Sequence, residues 1–206
     1  IFRVGNFNYQ DYLSYELHLV RRIRRRWQFD ASYVFSKGRG QAESFLSESG
    51  DDPALTELKD GYLSYDQRHV AKFHAVAYLP HDWQLGGGVT WSSGLPYSLV
   101  NRFQSNDNVE FIQTRRLFGH LDPNTHFFYS ETRNSHRNPP TYDLGVRTQR
   151  NFVLGKTAAG AFFEVYNLLN TDDMRVQEID NRRFSLQADE TRRFGRRFQL
   201  GLQLQF

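Results

Sequence analysis

The sequence predicts an all-β protein: an antiparallel transmembrane β-barrel segment of about seven strands, the C-terminal part of a larger barrel. Three observations predict it. Apolar and polar residues alternate with period two in segment after segment, the pattern of a sheet with one apolar and one polar face. The links between those segments are alternately short and long. Aromatics make up 16% of the 206 residues, with eighteen Phe and eleven Tyr, although mean hydropathy is only -0.67. A soluble core takes its bulk from Leu, Ile and Val, and Ile is scarce here. Many aromatics on a polar chain suit strands that set one residue against lipid and the next against water.

The segments follow in order. Tyr15, Leu17 and Leu19 oppose Glu16 and His18; Phe29, Ala31, Tyr33 and Phe35 oppose Asp30 and Ser32. Ala71, Phe73, Ala75, Ala77 and Leu79 oppose Arg68, Lys72 and His74. Trp83, Leu85, Gly87, Val89 and Trp91 oppose Gln84, Gly86, Gly88, Thr90 and Ser92. Tyr142, Leu144 and Val146 oppose Asp143, Gly145 and Arg147. Ala159, Ala161, Phe163 and Val165 oppose Gly160 and Glu164, with Phe162 and Tyr166 blurring the polar side. The last is the clearest: Phe198, Leu200, Leu202, Leu204 and Phe206 against Gln199, Gly201, Gln203 and Gln205. Successive side chains of a strand point to opposite faces, so one pleated strand accounts for each.

Short links are expected at residues 21–26, 80–82 and 155–156, and long polar ones over 37–65, 93–140 and 168–195. Outer-membrane barrels have short periplasmic turns and long extracellular loops. The count puts Phe206 at the periplasmic rim and the chain in the bacterial outer membrane, as a multi-pass barrel. An odd seven strands cannot close, because single-chain bacterial barrels are even-stranded. An open sheet in lipid leaves backbone groups unpaired. Further strands are therefore expected, from a preceding part of the chain or from another chain. The start at Ile1, without initiator Met or leader pattern, agrees with a missing N-terminal part. An extra strand around residues 109–117 is the other way to even the count.

Several function classes fall away. No apolar run reaches the roughly 18–20 residues of a spanning helix. There is no cysteine. No nucleophile elbow, phosphate-binding glycine loop or defensible carboxylate pair is present, so no enzyme activity and no cofactor are expected. His120, His126 and His136 with Asp107 and Glu110 lack metal-ligand spacing and read as solvated loop. The net charge is +3, and the arginines at 21, 22, 24, 25 and 26 suit an anionic lipid, nucleic acid or simply a solvated turn beside an apolar band. The solvated turn is the expectation here. Nucleic acid is not expected as a partner, since a soluble basic sheet would have to bury the apolar face of the final strand.

Five stretches resemble one family. They are residues 27–37 (Trp27-Gln28-Phe29-Asp30-Ala31-Ser32-Tyr33 onward), Tyr65-Asp66-Gln67-Arg68-His69-Val70, Ser92-Ser93-Gly94-Leu95-Pro96-Tyr97, Asn138-Pro139-Pro140-Thr141-Tyr142-Asp143-Leu144 and Glu164-Val165-Tyr166-Asn167-Leu168-Leu169-Asn170. In that order and spacing, with a terminal Phe, the chain resembles TonB-dependent receptors of the Oar-like group that carry a carboxypeptidase-regulatory-like domain. The resemblance implies a barrel of about 22 strands, a plug domain and a TonB-box segment that precede this sequence. It also implies energy-coupled uptake of a large scarce nutrient such as a siderophore, cobalamin or glycan. The implied partners are outer-membrane lipid and lipopolysaccharide, the barrel assembly machinery, TonB through the missing part, and surface lipoproteins or other envelope proteins. A barrel kept as a scaffold or interaction subunit of an envelope complex is the alternative.

Candidate sites follow. Phe198, Leu200, Leu202, Leu204 and Phe206 resemble the signal read by the assembly machinery, whose physical basis is strand addition at an open edge; they serve equally as lipid contacts. Arg68, Lys72, Arg147 and Glu164, together with Asp66, are expected to face the lumen. There they would touch plug or substrate, or form a wall network of ion pairs. Gly86-Gly87-Gly88 is expected to allow bending or close approach by the plug. Trp27, Trp83, Trp91 and Tyr78 are expected in interfacial girdles. Phe127, Phe128 and Tyr129 could stack on a ligand or pack their loop.

Overall fold

The computed structural model describes residues 8–41, 56–104, 125–155, 157–172, 174–180, 185–188 and 194–205. Its strands are β1 (Gln10–Arg24), β2 (Trp27–Gly40), β3 (Gly61–Tyr62), β4 (His69–Leu79), β5 (Trp83–Ser92), β6 (Pro96–Gln104), β7 (Thr125–Tyr129), β8 (His136–Arg137), β9 (Thr141–Leu154), β10 (Thr157–Tyr166), β11 (Val176–Asp180), β12 (Ser185–Ala188) and β13 (Arg197–Gln205). One helical turn, α1, spans Thr56–Lys59. Seven of the strands form an antiparallel meander in the order β1-β2-β4-β5-β9-β10-β13, with β3 added to β2. They are the seven that the alternation predicts. Among the described residues β1 and β13 are the open edges of this sheet.

Register joins the seven local patterns into two continuous faces. On one, Leu17 stands opposite Tyr33 and Leu19 opposite Ala31, and Ala31 opposite Phe73. Phe73 then faces Val89, Val89 faces Leu144, and Val146 faces Val165. Ala161 and Phe163 end the rows against Leu202 and Leu200. The other face carries Ser32, Lys72, Thr90 and Asp143 in one row, and Arg147, Glu164 and Gln199 in another. A slip of one residue at any pair would exchange the faces, so the agreement of six registers is a strong constraint.

Most of the apolar face is not buried. Leu200 and Leu202 are 77% and 75% exposed, and Leu17, Leu19, Phe73, Leu85 and Phe163 are exposed as well. Leaving a Leu in water rather than in an apolar medium forgoes roughly 1.5–3 kcal/mol. A face of this extent needs an apolar surrounding. No described helix is long and apolar enough to cross a membrane, which says nothing against crossing by strands.

The short links at 80–82 and 155–156 fall where the sequence places them, and the first, at 21–26, is tighter than expected. β1 runs through the arginine run as far as Arg24, leaving Arg25 and Arg26 alone as the turn, at φ 53° and 77°. Positive φ at both central residues is the type I′ pattern, whose twist matches the strands it joins. The run at 21–26 is therefore mostly strand. Gly155, at φ 66°, begins the last short turn, between β9 and β10.

The long links are more ordered than polar loops. β2 continues past Lys37 to Gly40. Links 93–140 and 168–195 contribute a second, five-stranded sheet in the order β12-β11-β6-β7, with β8 paired to β6. In it β11 lies parallel to β6, Ile179 opposite Leu99. The fully buried side chains Leu63, Val100 and Pro96 sit at this end. Among the described residues the other buried apolar side chains, Ala159 and Val165, lie on β10. The segment at 109–117 lies outside the described residues, as do Asp107, Glu110, His120 and Phe206.

Candidate functional site

Two polar clusters carry the chemistry, one on the sheet wall and one at the long-link end. The wall cluster follows from cross-strand register. Arg147 on β9 stands opposite Glu164 on β10, and their charged atoms are 3.6 Å apart. The Arg147 guanidinium also donates to Gln149 Oε1 at 2.9 Å and lies 4.1 Å from the ring centroid of Phe162. Gln149 donates in turn to Asn151 at 2.9 Å. Phe162 is the aromatic that blurs the polar side of β10. Its ring covers Gly201 on β13, where an added Cβ would stand 2.3 Å from it. Glycine on one strand thus makes the pocket for an aromatic on the next, and the phenyl face supports the arginine.

Farther along the same face His18 and Asp30 form an ion pair at 2.9 Å when the imidazole is protonated. His74, opposite Asp30, lies over Gly88, whose missing Cβ would meet the ring at 2.5 Å. The glycine triplet therefore gives close approach to a side chain of the neighbouring strand. Lys72 sits between Ser32 and Thr90 in the row that ends at Asp143. Tyr78 shares the parity of Lys72 and His74, so it belongs to the polar face rather than to an interfacial girdle.

Two rows of aromatic rings lie on the apolar face. Near the short turns Trp27 stacks on Phe29 at 5.7 Å and Phe29 on Phe73 at 5.8 Å. Near the long links Tyr15, Phe35, His69 and Trp91 form a continuous row of ring contacts at 5.3–6.3 Å. The Tyr33 hydroxyl bonds His69 Nδ1 at 2.8 Å.

The second cluster centres on Asp66, which is 2% exposed. Its carboxylate accepts from the Gly38 amide at 2.6 Å and from Arg68 Nε at 3.1 Å. It also accepts from Arg137, which donates to the Asp66 and Gly94 carbonyls at 2.9 and 3.2 Å as well. Both guanidinium groups lie over the Tyr62 ring, at 4.4 and 5.3 Å. Asp66 and Arg68 precede β4 rather than sitting on it. The expectation that they line the wall is corrected: they lie in a buried latch above it.

Around this latch the links are tied to one another. Arg133 donates to the Gly40 carbonyl at 2.7 Å, Asn134 to the Tyr62 carbonyl at 2.7 Å, and Ser98 to Asn134 at 3.0 Å. Asn138 bridges Leu95 and Val176, and Arg175 reaches the Ser64 carbonyl at 3.2 Å. Tyr9 and then Arg39 hydrogen-bond to Asp60 and hold its carboxyl below the ordinary Asp value. Charge-assisted bonds of this kind fix loops more firmly than neutral ones.

The structure thus brings Arg147 and Glu164 together, and Arg68 with Asp66, but leaves Lys72 apart from both. Leu200, Leu202, Leu204 and Phe198 stand exposed along the open strand β13. Arg137, Tyr62 and Asn134 escaped the sequence reading. Arg137 is 71 residues from the carboxylate it serves, a separation at which local pattern carries no signal. His136 stacks on Tyr97 and bonds Glu131 at 2.9 Å. His126, Phe127 and Phe128 fall on β7, opposite β6. No group of three potential metal ligands occurs among the described residues.

Residues 1–195 match the model of a family described as "Outer membrane beta barrel domain". No curated protein matches the chain.

Proposed function

The chain belongs to the outer membrane beta barrel domain family, and on that premise we propose that it is the C-terminal wall of a TonB-dependent transporter that imports a large scarce nutrient. An outer-membrane β-barrel protein resides in the bacterial outer membrane; the finer reading rests on the five family-like stretches and on the geometry. One observation carries it: the register that gathers the apolar side chains of seven strands on one face and a hydrogen-bonding wall on the other.

In this reading the apolar face meets lipid and the polar face lines the lumen. The ten residues of β5, with Trp83 and Trp91 near its ends, span about 33 Å at ~3.3 Å per residue. Tilted by about 40°, they cover roughly 25 Å, the height of the apolar band in such barrels. Further strands pair with the open edges of β1 and β13, because unpaired backbone in hydrocarbon costs several kcal/mol per group. Lys72, Arg147 and Glu164 line the path that plug and nutrient occupy, and the Asp66 latch holds the extracellular mouth in shape. The exposed edge of β13, with its Phe198, Leu200, Leu202 and Leu204 side chains, is what the assembly machinery binds by strand addition before closure. We assign the chain no reaction and no cofactor.

Transport is tested by deleting the gene and following growth and uptake on limiting iron–siderophore, cobalamin and glycan sources. Uptake of one of these should fall in the deletion strain and fall equally when TonB is inactivated. Uptake that is lost with the gene but unaffected by TonB inactivation would contradict the coupling. Normal uptake throughout, with other envelope proteins lost from the outer membrane, would favour the scaffold reading. That alternative is supported by the apolar Met174 and Phe194 left exposed at the long-link end.

A further inference from the structure

Between β2, β4, β5 and β9 the apolar face is hollowed into a groove of about 810 Å³. Its floor is Ala75, Ala77 and Gly87, and its sides are Trp27, Phe73, Leu85 and Val89. Register makes the hollow: Ala75 stands opposite Gly87 and between Phe29 and Val146 in the rows, so small side chains fall together where their neighbours are large. From Phe73 to Leu79 the strand covers roughly 20 Å at ~3.3 Å per residue. At a tilt of about 40° that is ~15 Å of depth, half of the ~30 Å hydrocarbon core.

The short-turn end of the groove is basic. Arg25 and Arg26 line it directly. Arg21 lies beside it with its guanidinium 3.5 Å from the Trp27 ring centroid, and its Nε is buried without a hydrogen bond. An apolar channel one leaflet deep, ending in three arginines, has the shape and charge of a single lipid.

We propose that this groove seats an acyl chain of an anionic phospholipid of the periplasmic leaflet, whose phosphate is held by Arg21, Arg25 and Arg26. The periplasmic leaflet is named because short turns mark that side of such barrels. The inference rests on the lipid-facing assignment of the apolar face but not on transport or TonB. Phosphate oxygens would accept charge-assisted hydrogen bonds from these guanidinium groups.

The test uses the intact protein in nanodiscs containing brominated phosphatidylglycerol or brominated phosphatidylcholine at equal mole fraction. The readout is the Trp27-dependent fluorescence, taken as the difference from a Trp27→Phe variant. Phosphatidylglycerol should quench it with an apparent affinity about tenfold higher. The preference should vanish in Arg21→Gln/Arg25→Asn/Arg26→Gly, a variant whose Asn-Gly turn suits the observed positive φ and so preserves the hairpin. Ala75→Leu/Ala77→Leu, which fills the floor and keeps the charges, should weaken quenching by both lipids. Equal quenching by the two lipids, or a preference that survives removal of the arginines, would overturn the site. Quenching by neither lipid would instead refute the lipid-facing assignment itself.

Discussion

Replacing Leu202 by Arg is expected to destabilise the barrel by about 2–4 kcal/mol, the cost of a cation on the lipid face at mid-depth. The same change at Gln203, one residue along, should cost no more than about 0.5 kcal/mol, as at an ordinary wet surface position. Leu202 stands opposite Ala161 on the apolar face and is 75% exposed, whereas Gln203 stands opposite Gly160 on the polar face. The two positions share depth, strand and neighbours in sequence, so the difference between them isolates which face meets hydrocarbon. Urea titration of the protein folded into vesicles reads both. The reading of β13 fails if the two variants are destabilised equally, and fails more plainly if Gln203→Arg is the worse. In cells, Leu202→Arg should also lower the folded fraction that reaches the outer membrane, since β13 must insert before the barrel closes.

A different loss is expected at the long-link end. Asp66→Ala removes an anion that two arginines and one amide share, so it leaves uncompensated charge in a buried place. Breaking such a pair costs about 3–5 kcal/mol when the remaining charge stays buried. Here Arg68 and Arg137 keep about a quarter of their side chains in water, which places the expected cost near 3 kcal/mol. The loss should be local. Hydrogen exchange should rise across residues 56–68 and 131–138 and at the Gly38–Gly40 end of β2, to which the latch is bonded, while β4, β5 and β9 stay protected by their own cross-strand ladders. Asp66→Asn, which keeps an acceptor, should fall between the two. A variant whose whole sheet loosened together would show that latch and wall form one cooperative unit.

The wall was legible because its signal is local. Seven alternating segments can be read one at a time, and each had the parity that the cross-strand register requires. Boundaries were less legible where a residue tolerates two settings. Arg21 is charged, yet it lies on the apolar face because its guanidinium rests on Trp27, and a run of such residues reads as a turn. Residue type suggests an interfacial place for Tyr78, whereas its parity, shared with Lys72, puts it on the polar face. The second sheet had no such signature. β11 has only five residues, and β6 and β11 pair in parallel across some eighty residues of chain, so neither strand announces its partner. For the same reason Asp66 and Arg68, two residues apart, could be suspected as a pair, while Arg137 could not.

The chain has no cysteine of its own, and this makes the most direct measurement clean. A spin label is placed singly at each of positions 84–90 on β5, a strand flanked on both sides and therefore free of edge effects. Its collision rates with oxygen, which partitions into hydrocarbon, and with a water-soluble nickel chelate are then compared in the membrane-embedded protein. Oxygen access should peak at Leu85, Gly87 and Val89 and nickel access at Gln84, Gly86, Gly88 and Thr90, the two profiles out of phase with period two. Profiles in phase, or nickel access at Leu85 and Val89, would contradict the assignment of one face to lipid and the other to a wet interior.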